Sequence, residues 1–263
     1  RRFLATSVGH ESGTLPNMER HRLLGRDHED KGALVVVERP GCCMVLSRGL
    51  DSPAPKRHPN EDAVGMAQSD AGCTVAVVAD AHFGRESAEL VVQGVLSQVF
   101  RSEGSASSHS FLERVGMSLG MVARQLETQR TESACALVVA RICEQELIWA
   151  AFGDCRLFRI SPEGDAHSLT PVEQMWLDGG FRPRELRWGR ARVESGERFL
   201  LCTDGLPECR YGVETLFPDA LGRLACRGSL ADAARALVQE ALDGGGEDNI
   251  GVVLMSAETI HAS

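Results

Sequence analysis

The chain has 263 residues, 43% of them hydrophobic and 25% charged, and a formal net charge of −9. That length and composition describe an ordinary soluble globular protein, and with nothing like a linker in the middle a single domain is expected. The acidic balance argues against a nucleic-acid or anionic-membrane surface, which clustered Lys and Arg would have to build, and no apolar run approaches the ~20 residues of a membrane span.

Residues 1 to about 31 are polar and poor in periodicity, so a mobile or loosely docked extension is expected over 1–31. The main domain is then expected over 32–258, with a short tail at 259–263. The first residues, Arg1-Arg2-Phe3, lack an initiator Met, so the chain is either processed or part of a longer protein. Ala33 to Val37 and Cys42 to Ser47 read as strands around the turn Pro40-Gly41. The Pro-rich loop Asp51 to Pro59 cannot be regular structure and delivers Arg57, Glu61 and Asp62 to the next strand. Cys73 to Ala79 is a short apolar run, a buried strand, that ends in Asp80, His82 and Gly84.

From Glu86 to Phe100, and again from Ser110 to Thr128, apolar residues recur at helical spacing, so two consecutive helices should cover one face of a sheet. Ala134 to Ile142 and Leu147 to Phe152 form a hairpin of strands, and Arg156 to Ile160 a further strand. Residues 161–197 are the least legible part; Trp176 and Trp188 there are expected to pack a flap rather than touch substrate. A strand resumes at Arg198. The clearest helix has Ser229 as N-cap, Asp232 three residues on, and Gly244-Gly245-Gly246 as its end, and a strand from Asn249 to Met255 follows. Strands, helices, strands, a helix and a strand in that order segregate helices from antiparallel sheet, which is α+β.

The nine cysteines are odd in number and strewn through apolar runs, so reduced core thiols of a cytosolic protein are expected; without CxxC spacing a zinc site is not. The chemistry lies in carboxylates. A carboxylate at the mouth of a buried strand is costly unless paired or bound to a metal. Asp80 sits in that position, and Glu61-Asp62, Asp204 and Glu247-Asp248 repeat it at three other strand ends. Four such clusters predict one acidic cleft, and an oxygen-rich donor set selects Mg²⁺ or Mn²⁺. The residues by themselves reach a metal-dependent hydrolase of phosphoesters.

The ordered set Arg57-xxx-Glu61-Asp62, Val78-Ala-Asp80-Ala-His82-Phe-Gly84, Phe152-Gly-Asp154-Cys-Arg156, Thr203-Asp204-Gly205 and Glu247-Asp248-Asn249 resembles the metal-dependent protein phosphatases of the protein phosphatase 2C type, over roughly residues 42–256. The resemblance implies two antiparallel β-sheets packed as a sandwich with helices on both outer faces. It implies two ions, Mn²⁺ or Mg²⁺, bridged by Asp80, with the backbone carbonyl of Ala81 on one and Asp204 and Asp248 on the other. Glu61 and Asp62 would hold metal-bound water, Arg57 would grip the substrate phosphate, and His82 would protonate the leaving oxygen. Asp154 would share a third, weaker ion with Asp204. The implied activity is hydrolysis of phosphoserine and phosphothreonine in proteins by a metal-bound hydroxide, in a cytoplasmic monomer that opposes a Ser/Thr kinase.

Ala81 replaces the family's usual glycine, Phe83 a small residue and Cys155 a serine, and the short gap between Asp154 and Asp204 implies a reduced flap. Simpler readings stand beside these roles: a strand-end cap for Asp80, a hydrogen-bonded loop histidine for His82, a solvated loop for Arg57, and an Asp154–Arg156 turn pair. Two rival functions remain, a non-catalytic interaction domain of the same fold and a hydrolase of small phosphoesters.

Overall fold

In the computed structural model the described residues are 18–53, 55–70, 72–99 and 108–256; the expectations for 1–17, for the helix end at Phe100 and for the tail lie outside them. Among the described residues, two six-stranded antiparallel sheets carry the fold. The first contains β1 (Met18–Leu24), β4 (Ala63–Ser69), β5 (Thr74–His82), β6 (Ala134–Cys143), β7 (Glu146–Phe152) and β10 (Arg187–Arg192). The second contains β2 (Leu34–Arg39), β3 (Cys42–Ser47), β8 (Arg156–Ile160), β9 (Ala166–Ser168), β11 (Arg198–Cys202) and β12 (Ile250–Ser256). Their spatial orders are β1-β4-β5-β6-β7-β10 and β2-β3-β12-β11-β8-β9.

Side chains on a strand alternate between faces, and that period sorts the core into three layers. Val75, Val77, Ala79 and Ala81 of β5 face outward onto α1 (Glu86–Gln98) and α2 (Ser108–Gln129), against Val91, Val95, Phe111 and Leu119. Ala76 and Val78 face inward and meet Met44, Leu46, Leu201 and Val253 of the opposite sheet. On the far side, Cys43, Leu200 and Val252 pack under α3 (Pro218–Ala225) and α4 (Leu230–Asp243), against Leu221, Leu237 and Val238. Strands covered on both faces read as continuous apolar runs, which is why their existence was plain in the sequence. The α+β sandwich with helices on both outer faces is therefore the observed fold.

The α4 cap forms as expected: Ser229 Oγ accepts from the Asp232 amide at 3.1 Å, while the Asp232 carboxylate accepts from the Ser229 hydroxyl at 2.8 Å. A cap of this kind is worth about 1 kcal/mol. The sequence reading missed α3, β9 and β10.

Two expectations are corrected. The polar stretch up to residue 31 is not all a loose extension, since β1 pairs with β4 from Met18↔Ser69 to Leu24↔Ala63. Its end is also tied to the neighbourhood of the site: the Gly25 amide donates to the Asp62 carbonyl at 2.9 Å and Asn60 Nδ2 to the His28 carbonyl at 3.0 Å. A sheet edge needs only backbone hydrogen bonds and one part-covered face, so Glu19, Arg20 and Arg22 show no apolar run. The cysteines are not all reduced either, because Cys73 and Cys143, neighbours across the β5–β6 pair at the end away from Asp80, form a disulfide.

Candidate metal centre

The alternation that layers the core also aims the site. Asp80 and His82 share the inward parity of Val78, and Asp62 shares that of Val64, so these side chains enter the space between the sheets where the strands end. Asp204 follows β11, Asp248 precedes β12, and Asp154 lies in the short turn between β7 and β8. Gly153 of that turn has φ +94°, and an added Cβ there would lie 2.6 Å from the Ala136 Cβ and from the Met175 carbonyl oxygen. Gly205 has the same role beside Asp204, since a Cβ would fall 2.0 Å from the Asn249 carbonyl oxygen. Both motif glycines let backbone close up around the carboxylates.

Glu61, Asp62, Asp80 and Asp154 are buried, with Asp204 and Asp248 half-buried beside them. One ligand atom each from Asp80, His82 and Asp154 lies within 4.8 Å of the others. Asp62, Asp154 and Asp204 each turn at least one fully buried oxygen toward no hydrogen-bond partner among the described residues, and His82 Nε2 is likewise unpartnered. Carboxylates normally do not stay orphaned in a core. Burial, with the Asp248 and Asp204 charges, pushes the Asp62 carboxyl up to about 7 even though Lys56 pulls it down. Burial and Asp204 likewise push Asp154 up to about 7, and burial with neighbouring carboxylates raises Asp80 and Asp204. Burial and Lys56 hold His82 below its ordinary value. Four carboxyls that resist ionisation even with Lys56 nearby, in an oxygen-rich set, fit hard divalent cations.

The simple turn pair is not what Asp154 makes: Arg156 reaches instead to Glu208 at 3.4 Å and Glu214 at 3.1 Å. Arg57 lies at the rim, half exposed, in an ion pair with Glu132. Glu61 is engaged by its own loop, its Oε1 accepting the Arg57 and His58 amides, both at 3.1 Å.

Two residues were missed in the sequence. Lys56, a residue of the Pro-rich loop, enters the cluster with Nζ 2.5 Å from Asp248 Oδ1, and the surrounding carboxylates raise its pKa against the opposing effect of burial. Asn249 locks three segments together: its Oδ1 accepts the Glu61 amide at 2.9 Å, and its Nδ2 donates to the carbonyls of Arg48 at 2.7 Å and Pro59 at 3.0 Å. Its place beside Asp248 was the one available signal. Trp188 is exposed on β10 rather than packed, and Trp176 stands against His82, their rings 5.1 Å apart and edge-on.

The groove of about 1050 Å³ between α2 and β10 is apolar and lined by none of these carboxylates, so the chemistry is placed by the orphaned acids and not by cavity size.

Similar folds recur among solved proteins. The Mycobacterium tuberculosis serine/threonine phosphatase PstP/Ppp is 20% identical with a TM-score of 0.65, covering 84% of this chain and 99% of that one. The catalytic domain of the serine/threonine protein phosphatase PstP in complex with two manganese ions is also 20% identical, with a TM-score of 0.65 and coverage of 85% and 99%. The S. agalactiae serine/threonine phosphatase is 18% identical, with a TM-score of 0.67 and coverage of 92% and 100%. No curated protein matches the sequence significantly. The family described as stage II sporulation protein E (SpoIIE) matches residues 70–258, which takes in β5 with Asp80, the Asp154 turn, Asp204 and Asp248, and the chain belongs to that family.

Proposed function

We propose that this chain is a phosphatase that removes phosphate from phosphoserine and phosphothreonine in proteins, opposing a Ser/Thr kinase in the cytoplasm, with Mn²⁺ or Mg²⁺ as cofactor. The observation that carries the reading is the set of orphaned, buried carboxylate oxygens of Asp62, Asp154 and Asp204 gathered with Asp80 at one end of the sandwich. Asp80, the Ala81 carbonyl, Asp204 and Asp248 would hold two cations, and Asp154 with Asp204 a third. When bound, such cations lower the pKa of a water and neutralise phosphate charge.

The chain's own residues do the rest. Glu61 and Asp62 orient water. Arg57 grips the phosphate at the rim; its present partner is an exposed carboxylate, and an exposed ion pair holds about 1 kcal/mol at most, so a phosphate dianion can take Glu132's place. His82 Nε2, unpartnered among the described residues, is placed to pass a proton to the departing alkoxide. No described helix is long and apolar enough to cross a membrane.

The test is turnover of a phosphoserine peptide by the Mn²⁺-loaded protein, its loss on chelation and its return when Mn²⁺ is restored. Full activity in excess chelator would sink the reading. A sharper measurement concerns His82. His82→Ala is expected to lower kcat on an alkyl phosphate monoester by about 10² or more, the usual contribution of a general acid, and to lower it far less on an aryl ester whose leaving group needs no proton. Equal losses on both esters would give His82 another role.

A further inference from the structure

Two aromatic side chains flank His82, and nothing in the chemistry above uses them. Phe83 is 60% exposed, its ring centroid 6.4 Å from that of His82, and Trp176 is 39% exposed on the other ring contact. Phe83 also has φ +60°, a conformation that bulky residues seldom adopt. Strain of this sort persists where the surroundings impose it, and it collects at ligand-binding positions. Here they do impose it: Ser133 Oγ donates to the Gly84 carbonyl at 2.6 Å and accepts the Ser87 amide at 3.0 Å, clamping the turn between β5 and α1.

Trp176 is just as firmly held. Leu177 exchanges backbone hydrogen bonds with Cys135 of β6, at 2.7 and 3.0 Å, and the Glu173 amide donates to the Gly153 carbonyl at 3.1 Å. Arg187 grips the Glu173 carboxylate with two nitrogens, at 2.7 to 3.1 Å. The segment is therefore pinned to the sheet, not draped over it. Rigid, exposed aromatics lose little entropy on contact, and such side chains anchor recognition.

We propose that Phe83 and Trp176 form a subsite, beside the catalytic histidine, for an apolar side chain adjacent in sequence to the phosphorylated residue. The proposal rests on the phosphatase reading and adds to it a substrate preference. A peptide bound with its phosphate at the carboxylate cluster passes His82 at the leaving oxygen, so its neighbouring side chain meets the two rings that stand against His82. Apolar contact with them removes exposed aromatic surface from water.

The experiment compares kcat/KM of the Mn²⁺-loaded protein for phosphoserine peptides with Leu or Ser at the position before the phosphoserine, and with Leu or Ser at the position after it. The Leu peptide is expected to be preferred by about tenfold at one of the two positions, ~1.4 kcal/mol. In Phe83→Gly and in Trp176→Ala that ratio should collapse toward one. Phe83→Gly should also melt no lower than the parent, because glycine accepts φ +60° without strain. Peptides turned over without preference at either position would overturn the subsite while leaving the phosphatase intact. A preference undiminished in either variant, or a clear loss of stability in Phe83→Gly, would overturn it too. No turnover of any phosphopeptide would bring down the activity and the subsite together.

Discussion

Asp80→Asn is expected to cut phosphopeptide turnover by at least about 10³-fold, ~4 kcal/mol of transition-state stabilisation, while the metal-free protein melts at a higher temperature than the parent. On the proposed function Asp80 serves the cofactor, and its buried charge does so at the expense of the fold, so the two effects have opposite signs. Its side chain lies at the end of β5 on the inner face, buried, with Asp204 and Asp62 as charged neighbours, and those surroundings hold its carboxyl well above the ordinary carboxylate range. An amide of the same shape carries no such penalty, but it makes a poor ligand for a hard cation. Asp204→Asn should behave the same way. Calorimetry in excess chelator and steady-state assays in Mn²⁺ read the two halves separately. Retention of full turnover would remove Asp80 from the metal set, and a lower metal-free melting temperature would make it a structural cap.

The pH dependence of stability follows from the same cluster. In the unfolded chain these aspartates lose their protons near 3.8, whereas in the fold Asp62 and Asp154 do so at about 7, and Asp80 and Asp204 are raised as well. Between those values the folded state binds more protons than the unfolded one, so stability falls as pH rises. The contribution is complete below the unfolded value and is lost as pH passes through the folded one. His82, held low, works in the opposite sense, but it is one group against four. The metal-free protein should accordingly melt at progressively lower temperature from about pH 5 to about pH 8. Saturating Mn²⁺ should reverse the trend, because cations bind the deprotonated carboxylates and displace their protons. The gap between the two melting curves then widens with pH. A metal-free melting temperature that climbs across this window would mean the acids are paired in a way the orphaned oxygens do not show.

How far a residue's role could be read in advance depended on what holds it. β3, β5, β6 and β12 are apolar because both their faces are covered, and α1, α2 and α4 carry one apolar stripe each; these signals are local and survive in the sequence. The carboxylates at the strand ends were legible for a related reason: charge that abuts a buried run needs an explanation. β1 and β10 are edge strands held largely by backbone hydrogen bonds, which leave no pattern in side chains such as Glu19, Arg22, Arg187 and Arg190. α3, eight residues long, is too short for periodicity to declare itself.

With Asp154 supplied only by the resemblance of its motif, the sequence by itself determined the α+β class, the order of the main elements, and the acids Glu61, Asp62, Asp80, Asp204 and Asp248 as one candidate site. Each of these rests on which residue types stand next to a buried run, and that is a property of neighbours in the chain. Only the tertiary structure decided that Lys56 enters the cluster, that Arg57 faces Glu132 at the rim, that Asn249 ties Glu61 to the loops at Arg48 and Pro59, and that Trp176 stands on His82. Those partners are separated by 75 residues for Arg57 and Glu132 and by 188 for Asn249 and Glu61, so no local periodicity links them. They meet because two sheets bring their strand ends to one place, and that juxtaposition exists only once the sandwich has packed.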